Sequence, residues 1–190
     1  DYTFCEDGTK LLYTVDSKDS TLKSGVYVYD TELAQSKGLK VGKGTFKNLA
    51  WDEKGKQAAF VADMDTSKAK QRYFSLYYWE SNADSAVAIA DTLTKGLNNG
   101  WLISENGKIE FSKNGKKLFF GTAPVPVPED TTIVDFEVAK VDVWSWKDPL
   151  LQPHQLKELD KEKKRSYKAV IHLKNKRFVQ LGDLDLPEIR

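Results

Sequence analysis

A ten-residue segment that occurs three times constrains the fold of this chain more than any other feature. The copies are FCEDGTKLLY at 4–13, WDEKGKQAAF at 51–60 and FSKNGKKLFF at 111–120, and they align without gaps. In each copy a glycine lies four residues after the first aromatic residue, and a second aromatic residue lies five residues after that glycine. A strand, a tight polar turn whose glycine can adopt positive φ, and a second strand produce this pattern. We therefore predict three β-hairpins.

Each hairpin is followed by further segments rich in aromatic and β-branched residues, which are typical of strands. The candidate third strands are VYVYD at 26–30, YFSLYYWE at 73–80 and VDVWSWKD at 141–148. The candidate fourth strands are KVGKGTF at 40–46, SAVAIA at 85–90 and, in the last unit, the pair YKAVIHL at 167–173 and RFVQL at 177–181. The hairpins begin at residues 4, 51 and 111 and are thus 47 and 60 residues apart. Propeller blades repeat every 40–50 residues or so.

The sequence therefore predicts an all-β fold of about three consecutive four-stranded blades of an incomplete β-propeller. The expected blades span residues 1–48, 49–106 and 107–182, and residues 183–190 would begin the next blade. One short helix is expected at 152–164, because Pro153 suits a first helical turn and Glu158 and Lys161 are spaced as partners on a helix surface. The proline-rich segment 122–130 is expected to be a loop or a sheet edge, since proline donates no backbone hydrogen bond.

Composition disfavours two classes of partner. The 190 residues contain 29 Lys and Arg against 28 Asp and Glu, a net charge of +1, so no general field attracts nucleic acid. Apolar runs are too short to span a bilayer, and we expect no membrane partner. The first residue is Asp1, without a leader segment, which suggests either a mature or excised piece or a designed chain. The single cysteine, Cys5, is expected to pack in a strand, and it indicates no compartment.

Two stretches resemble a known family. VDVWSWKDPLLQPHQL at 141–156 and YKAVIHLKNKRFVQLGDLDLPEI at 167–189, together with the SxxGKxLxF form of the hairpin, resemble the N-terminal β-propeller of the prolyl-oligopeptidase family of serine peptidases. The similarity is strongest to the exported versions of Bacteroidetes-type bacteria. The hairpin alone is shared with TolB-like and tricorn-like propellers.

That resemblance implies a function for a longer protein. In the family, a propeller of seven or eight blades caps an α/β-hydrolase domain and restricts the active site to peptides. The implied partners are therefore the hydrolase domain, the remaining blades of the parent chain and the peptide substrate, and the implied location is periplasmic or exported. An alternative from another class is a non-enzymatic, TolB-like propeller that binds protein, peptide or glycan.

Catalytic residues of that family are expected to lie outside this chain. The nucleophile elbow G-x-S-x-G is absent, because the glycine pairs with that spacing, Gly38 with Gly42 and Gly96 with Gly100, enclose Lys40 and Asn98. No adjacent Glu-Glu pair occurs, so aminopeptidase specificity is not implied. We predict no catalytic, cofactor-binding or metal-binding residue and no cofactor; the chain alone should be inactive, and whether the parent is an enzyme stays open.

Other candidate residues favour structural interpretations. His154 and His172 are not spaced as zinc ligands, and we expect solvation for the first and a strand-face position for the second. DMDTS at 63–67 begins like a calcium loop but has Lys68 and Phe74 where glycine and glutamate are required, so we expect a solvated turn.

The aromatic residues divide into packed and exposed groups. We expect Trp51, Trp144 and Trp146 to pack within blades and Trp101 to be exposed. Finally, an open run of blades leaves two sheet flanks uncovered, from which we expect self-association through open blade edges or poor stability.

Overall fold

The computed structural model describes residues 1–17, 23–67, 69, 71–127, 143 and 145–189. The chain divides into two compact units, one of residues 1–125 and 166–190 and one of residues 126–165. All strands of the described residues belong to the first unit, and the second contains a helix. The second unit is thus an insertion between two strands of the first.

The strands of the first unit form three antiparallel sheets. The first sheet contains β1 (Tyr2–Phe4), β2 (Lys10–Val15), β3 (Gly25–Asp30) and β4 (Gln35–Val41). The second contains β5 (Thr45–Trp51), β6 (Gln57–Asp63), β7 (Ser75–Glu80) and β8 (Val87–Ala90). The third contains β9 (Trp101–Ile103), β10 (Glu110–Phe111), β11 (Lys117–Pro124), β12 (Tyr167–His172) and β13 (Arg177–Gln180).

Every sheet is a meander in which consecutive strands pair, and in the third sheet β9 and β10 both pair with β11. Consecutive four-stranded meanders of this kind are the blades of a β-propeller. The predicted fold class, an all-β incomplete propeller, is confirmed.

The three repeated segments form the three predicted hairpins. Gly8, Gly55 and Gly115 have φ values of 73°, 60° and 66° and occupy the same place in each turn. Positive φ in this range strains any residue with a Cβ atom, which explains why glycine recurs at this position.

One side chain in each hairpin also closes the turn. The residue after the first aromatic residue is Cys5, Asp52 or Ser112, and each accepts a hydrogen bond from the backbone N–H five residues later, at 3.0, 2.7 and 3.0 Å. In all three hairpins the backbone N–H of this residue also donates to the carbonyl of that later residue, at 2.9–3.0 Å. The turn is therefore held by the same two bonds, whether the acceptor is a thiol, a carboxylate or a hydroxyl.

Two predicted strands were wrong. KVGKGTF at 40–46 is divided: β4 ends at Val41, β5 begins at Thr45, and residues 42–44 form a bend. A Cβ atom on Gly44 would lie 2.6 Å from the backbone oxygen of Asp63, so glycine allows this bend to approach the end of β6. The sequence around two glycines thus forms a connection between blades.

VDVWSWKD at 141–148 forms no strand in its described residues, 143 and 145–148, while residues 141, 142 and 144 lie outside the described part. Ser145 and Asp148 close a turn there, with Asp148 N–H donating to the Ser145 carbonyl at 3.0 Å. The third strand of the last sheet is β12 instead. The proline-rich segment begins inside β11, which extends to Pro124 and pairs there with Trp101.

The sheets pack face to face through two apolar clusters. One cluster joins the first and second sheets and includes Leu12, Val26, Val28, Ala58, Phe60 and Tyr77. The other joins the second and third sheets and includes Ala59, Val61, Leu76, Leu118, Phe120 and Ile171. Because side chains alternate across a strand, the middle sheet contributes one set of residues to each cluster.

The second unit contains α1 (Gln152–Lys163), which begins with a proline in its first turn, as predicted. Lys161 Nζ and Glu158 Oε2 are 3.1 Å apart, which confirms the expected surface pair. No residue of α1 is buried. No helix among the described residues is long and apolar enough to cross a membrane.

Candidate functional site: the inner strands and the strand-end cleft

One strand of each sheet lies beside a strand of the next sheet: these strands are β1, β5 and β10. β5 contacts both β1 and β10, as expected for the innermost strands of successive blades. Trp51, at the end of β5, donates its indole N–H to the backbone oxygen of Thr3 at 3.1 Å. We call the surface formed by β1, β5 and β10 the inner wall.

A bulge in β5 ties the inner wall together. The register of β5 shifts between Lys47 and Ala50, and Asn48 within the bulge has a φ of 55°. The Asn48 amide donates to the backbone oxygens of Glu105 and Gly107 at 2.6 and 2.9 Å. Lys47 forms an ion pair with Glu105 beside it. The bulge thus supplies hydrogen-bond donors to the turn that connects β9 to β10.

Close backbone contact fixes that turn from its other side. A Cβ atom on Gly107 would lie 2.3 Å from the Cα atom of Gly121 in β11, and one on Gly121 would lie 2.5 Å from Gly107. The segment between β9 and β10 therefore rests directly on the β11 backbone, which only glycine permits. Both sides of this part of the inner wall are held by specific contacts.

A cleft of about 790 Å³ opens at the end of the strands. Its walls come from the connections that follow β2, β4 and β6, and they include three cationic side chains, Lys23, Lys43 and Arg72. Arg72 Nη1 lies 3.2 Å from Asp63 Oδ2 and is neutralised by it. No ion pair to Lys23 or Lys43 is formed within the described residues. Asp16 and Asp65 also line the cleft, so its walls carry acidic side chains as well as cationic ones.

Asp63 corrects the expectation of a solvated turn. Its side chain is 3% exposed, and besides the Arg72 contact it accepts the Asp65 N–H at 2.9 Å. Asp65 is exposed, as expected, and the backbone N–H of Ser67 lowers the pKa of its carboxyl. Residues 63–67 therefore form a turn in which the Asp63 carboxylate is buried and paired with Arg72, whereas Asp65 is exposed.

Two tryptophans have environments opposite to those expected. Trp101 is 9% exposed and packs against Tyr167 with ring centroids 4.9 Å apart, whereas Trp146 is 90% exposed. Trp101 is buried because β9 pairs with β11, and Trp146 lies in the turn of the second unit. Trp144 lies outside the described residues. Trp51 packs edge-on against Trp79, as predicted.

Among the described residues, the histidines and the candidate metal ligands form no common site. Neither His154, which is exposed, nor His172, half-buried on β12, forms a side-chain hydrogen bond with any described residue. Across the same residues, no three His, Cys, Asp or Glu side chains are grouped to hold a metal ion.

The thiol of Cys5 has a structural role. It is 3% exposed and donates to Asp7 Oδ1 at 2.9 Å. That bond, with the backbone and side-chain donors of Thr9, lowers the pKa of Asp7 to about 2. Cys5 is buried, as expected, but it lies just after the end of β1 and not within a strand, and its thiol helps to close the first hairpin.

Comparisons with known proteins show the fold. No family model and no curated protein matches this chain in sequence. Among solved structures, TolB from Acinetobacter baumannii is 15% identical, with a TM-score of 0.47, over 97% of this chain and 33% of that one. An oligogalacturonate lyase from Vibrio parahaemolyticus is 13% identical, with a TM-score of 0.50, over 93% and 37%.

An acylaminoacyl peptidase from Pyrococcus horikoshii is also similar, with 13% identity and a TM-score of 0.45 over 90% of this chain and 22% of that one. This chain spans about a third or less of the length of these three proteins. At such low identity the likeness concerns the fold alone, and it agrees with a propeller module.

Proposed function

We propose that this chain is the non-catalytic propeller portion of an exported, prolyl-oligopeptidase-like serine peptidase, in which it gates peptide access and scaffolds a hydrolase domain. The observation that carries the proposal is the inner wall. The strands β1, β5 and β10 lie side by side. Trp51, Asn48 and Lys47 connect the sheets through two hydrogen bonds to backbone oxygens and one ion pair. A gate around a channel needs such a wall, because loosely connected blades would admit large substrates.

One further point supports the proposal: the stretches at 141–156 and 167–189 resemble the propeller of that family.

The test uses the natural full-length protein beside this chain. We expect a fluorophosphonate probe to label a serine of the full-length protein and not this chain. We also expect the full-length protein to cleave a short peptide and to spare a folded protein. Absence of a reactive serine would refute the peptidase assignment.

Gating itself is tested by loosening the inner wall. Asn48→Ala in the full-length protein removes the two bonds to the turn after β9, and we expect cleavage of longer peptides to rise relative to a dipeptide-sized substrate. Asn114→Ala, which changes an exposed turn in the third hairpin, is the matched control. An unchanged size preference in Asn48→Ala would contradict gating by the inner wall.

A second candidate function is supported by the cleft. A TolB-like module without enzyme activity would use the unpaired Lys23 and Lys43 to bind a carboxylate-bearing peptide or glycan. Titration calorimetry with an acidic peptide and an acidic oligosaccharide tests it. Binding that is lost in the Lys43→Ala variant, without any reactive serine in the full-length protein, would favour this alternative.

A further inference from the structure

The third sheet concentrates positive charge at one end of its strands. The turn between β10 and β11, at 112–116, and the turn between β12 and β13, at 173–176, lie at the same end, because β11 and β12 pair directly. The backbone N–H of Leu173 donates to the Lys116 carbonyl at 3.0 Å, so the two turns are in contact. We call the exposed polar residues of these turns the lysine end; they are Lys113, Asn114, Lys116, Lys174, Asn175 and Lys176.

The equivalent ends of the other two sheets have the opposite balance of charge. In the first sheet, residues 5–10 and 30–35 contain four acidic side chains and one lysine. In the second, residues 52–57 and 80–86 contain four acidic side chains and two lysines. The corresponding residues of the third sheet, 112–117 and 172–177, contain six Lys and Arg and no acidic side chain. The positive charge is therefore specific to one sheet of a chain whose net charge is only +1.

The four lysines of the lysine end are not neutralised by neighbouring side chains. Among the described residues, none of their ammonium groups forms an ion pair or a hydrogen bond. Two lysines of the first sheet do have partners: Lys10 Nζ donates to the Gly55 carbonyl at 3.1 Å, and Lys37 Nζ lies 3.7 Å from Asp84 Oδ1. Like charges on two touching turns repel each other, and a bound anion relieves that repulsion.

The two asparagines add hydrogen-bond donors to the lysine end. Asn114 Oδ1 accepts the Lys116 N–H at 3.1 Å, and Asn175 Oδ1 accepts the Arg177 N–H at 3.2 Å. Because each side-chain oxygen closes its own turn, the NH₂ group is the part of each amide that remains for a ligand. No described residue accepts a hydrogen bond from either NH₂ group. The lysine end thus presents donors, which suits a ligand composed of negatively charged acceptors.

The surroundings favour the carboxylates of a peptide over the phosphates of nucleic acid or lipid. The two turns contain no aromatic residue on which a base could stack. Their one large apolar residue, Leu173, is half-buried against the protein and is not positioned to enter a lipid layer. Two turns that connect four neighbouring strands span about 15 Å, which is the length of about four or five residues of an extended peptide.

We propose that the lysine end binds an acidic peptide segment, whose carboxylates accept hydrogen bonds from the ammonium groups and from the asparagine amides. This location differs from the cleft. A Cβ atom on Gly115 would lie 2.7 Å from Gln57 Nε2, so the turns of the second and third hairpins are neighbours at one end of the strands. β6 begins after the second of these turns and ends at Asp63, just before Asp65 in the cleft wall. The cleft is therefore at the opposite end, and the proposal is independent of the proposed peptidase function.

The test measures the fluorescence anisotropy of a labelled, glutamate-rich peptide of about ten residues at about 0.15 M salt. We expect this peptide to bind, the same peptide with glutamine in place of glutamate not to bind, and the affinity to fall as salt is added. The double variant Lys116→Glu with Lys174→Glu should weaken binding at least about tenfold. Lys116→Gln with Lys174→Gln removes the charges without reversing them and should weaken binding by a smaller factor.

A matched control separates the lysine end from the net charge of the chain. Lys157→Glu with Lys163→Glu changes the net charge equally at α1 and should leave the affinity within about twofold. An equal loss in this control would overturn the proposal, and so would binding that is lost in Lys43→Ala, at the cleft, but kept in both variants of the lysine end. Tighter binding of a DNA duplex or of anionic lipid vesicles than of the acidic peptide would overturn the ligand class. Far-UV circular dichroism and urea unfolding check that each variant has kept its fold.

Discussion

Replacement of Asp52 by alanine tests the physical basis of the repeated hairpin. Asp52 is 3% exposed, and its Oδ1 atom accepts the backbone N–H groups of Lys56 and Gln57 at 2.8 and 2.7 Å. In Asp52→Ala both groups lose their acceptor in a site with little access to water. The turn must then either stay unsatisfied or open.

The expected loss follows from those two bonds. A hydrogen bond to a charged acceptor contributes about 1.5–3 kcal/mol. Because the opened turn regains some contact with water, we expect Asp52→Ala to lower the free energy of unfolding by about 3 kcal/mol. For a chain of this size that corresponds to about 6–12 °C in Tm. Ser112→Ala, at the equivalent position of the third hairpin, removes one bond from a half-buried hydroxyl and should cost about 1 kcal/mol.

The assay is urea unfolding followed by tryptophan fluorescence, at a protein concentration where the mass is constant. Asp52→Asn keeps an acceptor oxygen without the charge, and we expect a loss between those of Asp52→Ala and Ser112→Ala. If Asp52→Ala loses no more than Ser112→Ala, the two short bonds do not hold the turn and the reasoning is refuted.

Three other predictions concern the inner wall and the first turn. Asn48→Ala should lower the free energy of unfolding by about 2 kcal/mol, because the hydrogen bonds to Glu105 and Gly107 are lost and alanine is strained at this positive φ. Asn48→Gly removes the same bonds without the strain, so it should recover part of this loss in the same urea assay. Gly121→Ala should cost about 3 kcal/mol or more through its backbone clash, measured likewise. The Asp7 carboxyl should titrate by NMR with a pKa of about 2, below the unfolded value of 3.8. Because the folded pKa is the lower one, the contribution of Asp7 to stability is complete above about pH 4 and is lost as the pH falls toward 2. A midpoint near 3.8 would contradict this.

The hairpins could be predicted from the sequence because their determinants are local. A glycine at positive φ and a polar side chain that accepts a bond five residues later lie within one ten-residue segment, and both recur three times. The helix was predictable for the same reason. Its proline and its surface pair are close in sequence.

The errors arise where the deciding contact is distant in sequence. Trp101 pairs with Pro124, 23 residues further on, and nothing near NNGW at 98–101 indicates that pairing. The segment VDVWSWKD has the composition of a strand, yet its described residues form no strand. Strand propensity depends on a pairing partner, so composition alone overstated the strand content there.

The inner wall shows the same limit in the candidate site. Asn48 bonds to the backbone of residues 57 and 59 positions later, and its own position in the sequence resembles an ordinary strand residue. Its positive φ is the one local indication, because asparagine tolerates that conformation better than most residues. Asn48 lies between the predicted segments 40–46 and 51–60, so sequence reasoning that tested asparagines beside predicted strands as bulge positions could have found it.

Exposure by itself is a weak guide to function in a repeat protein, whereas exposure relative to equivalent positions is a strong one. Tyr27 and Tyr77 occupy the same place in successive blades, and both stack on an aromatic residue of the neighbouring strand. Tyr77 is 8% exposed beneath Lys40, and Tyr27 is only half-buried. Tyr77 is covered because the first sheet packs on the second, so a comparison of equivalent positions identifies the strand faces that serve as packing surfaces.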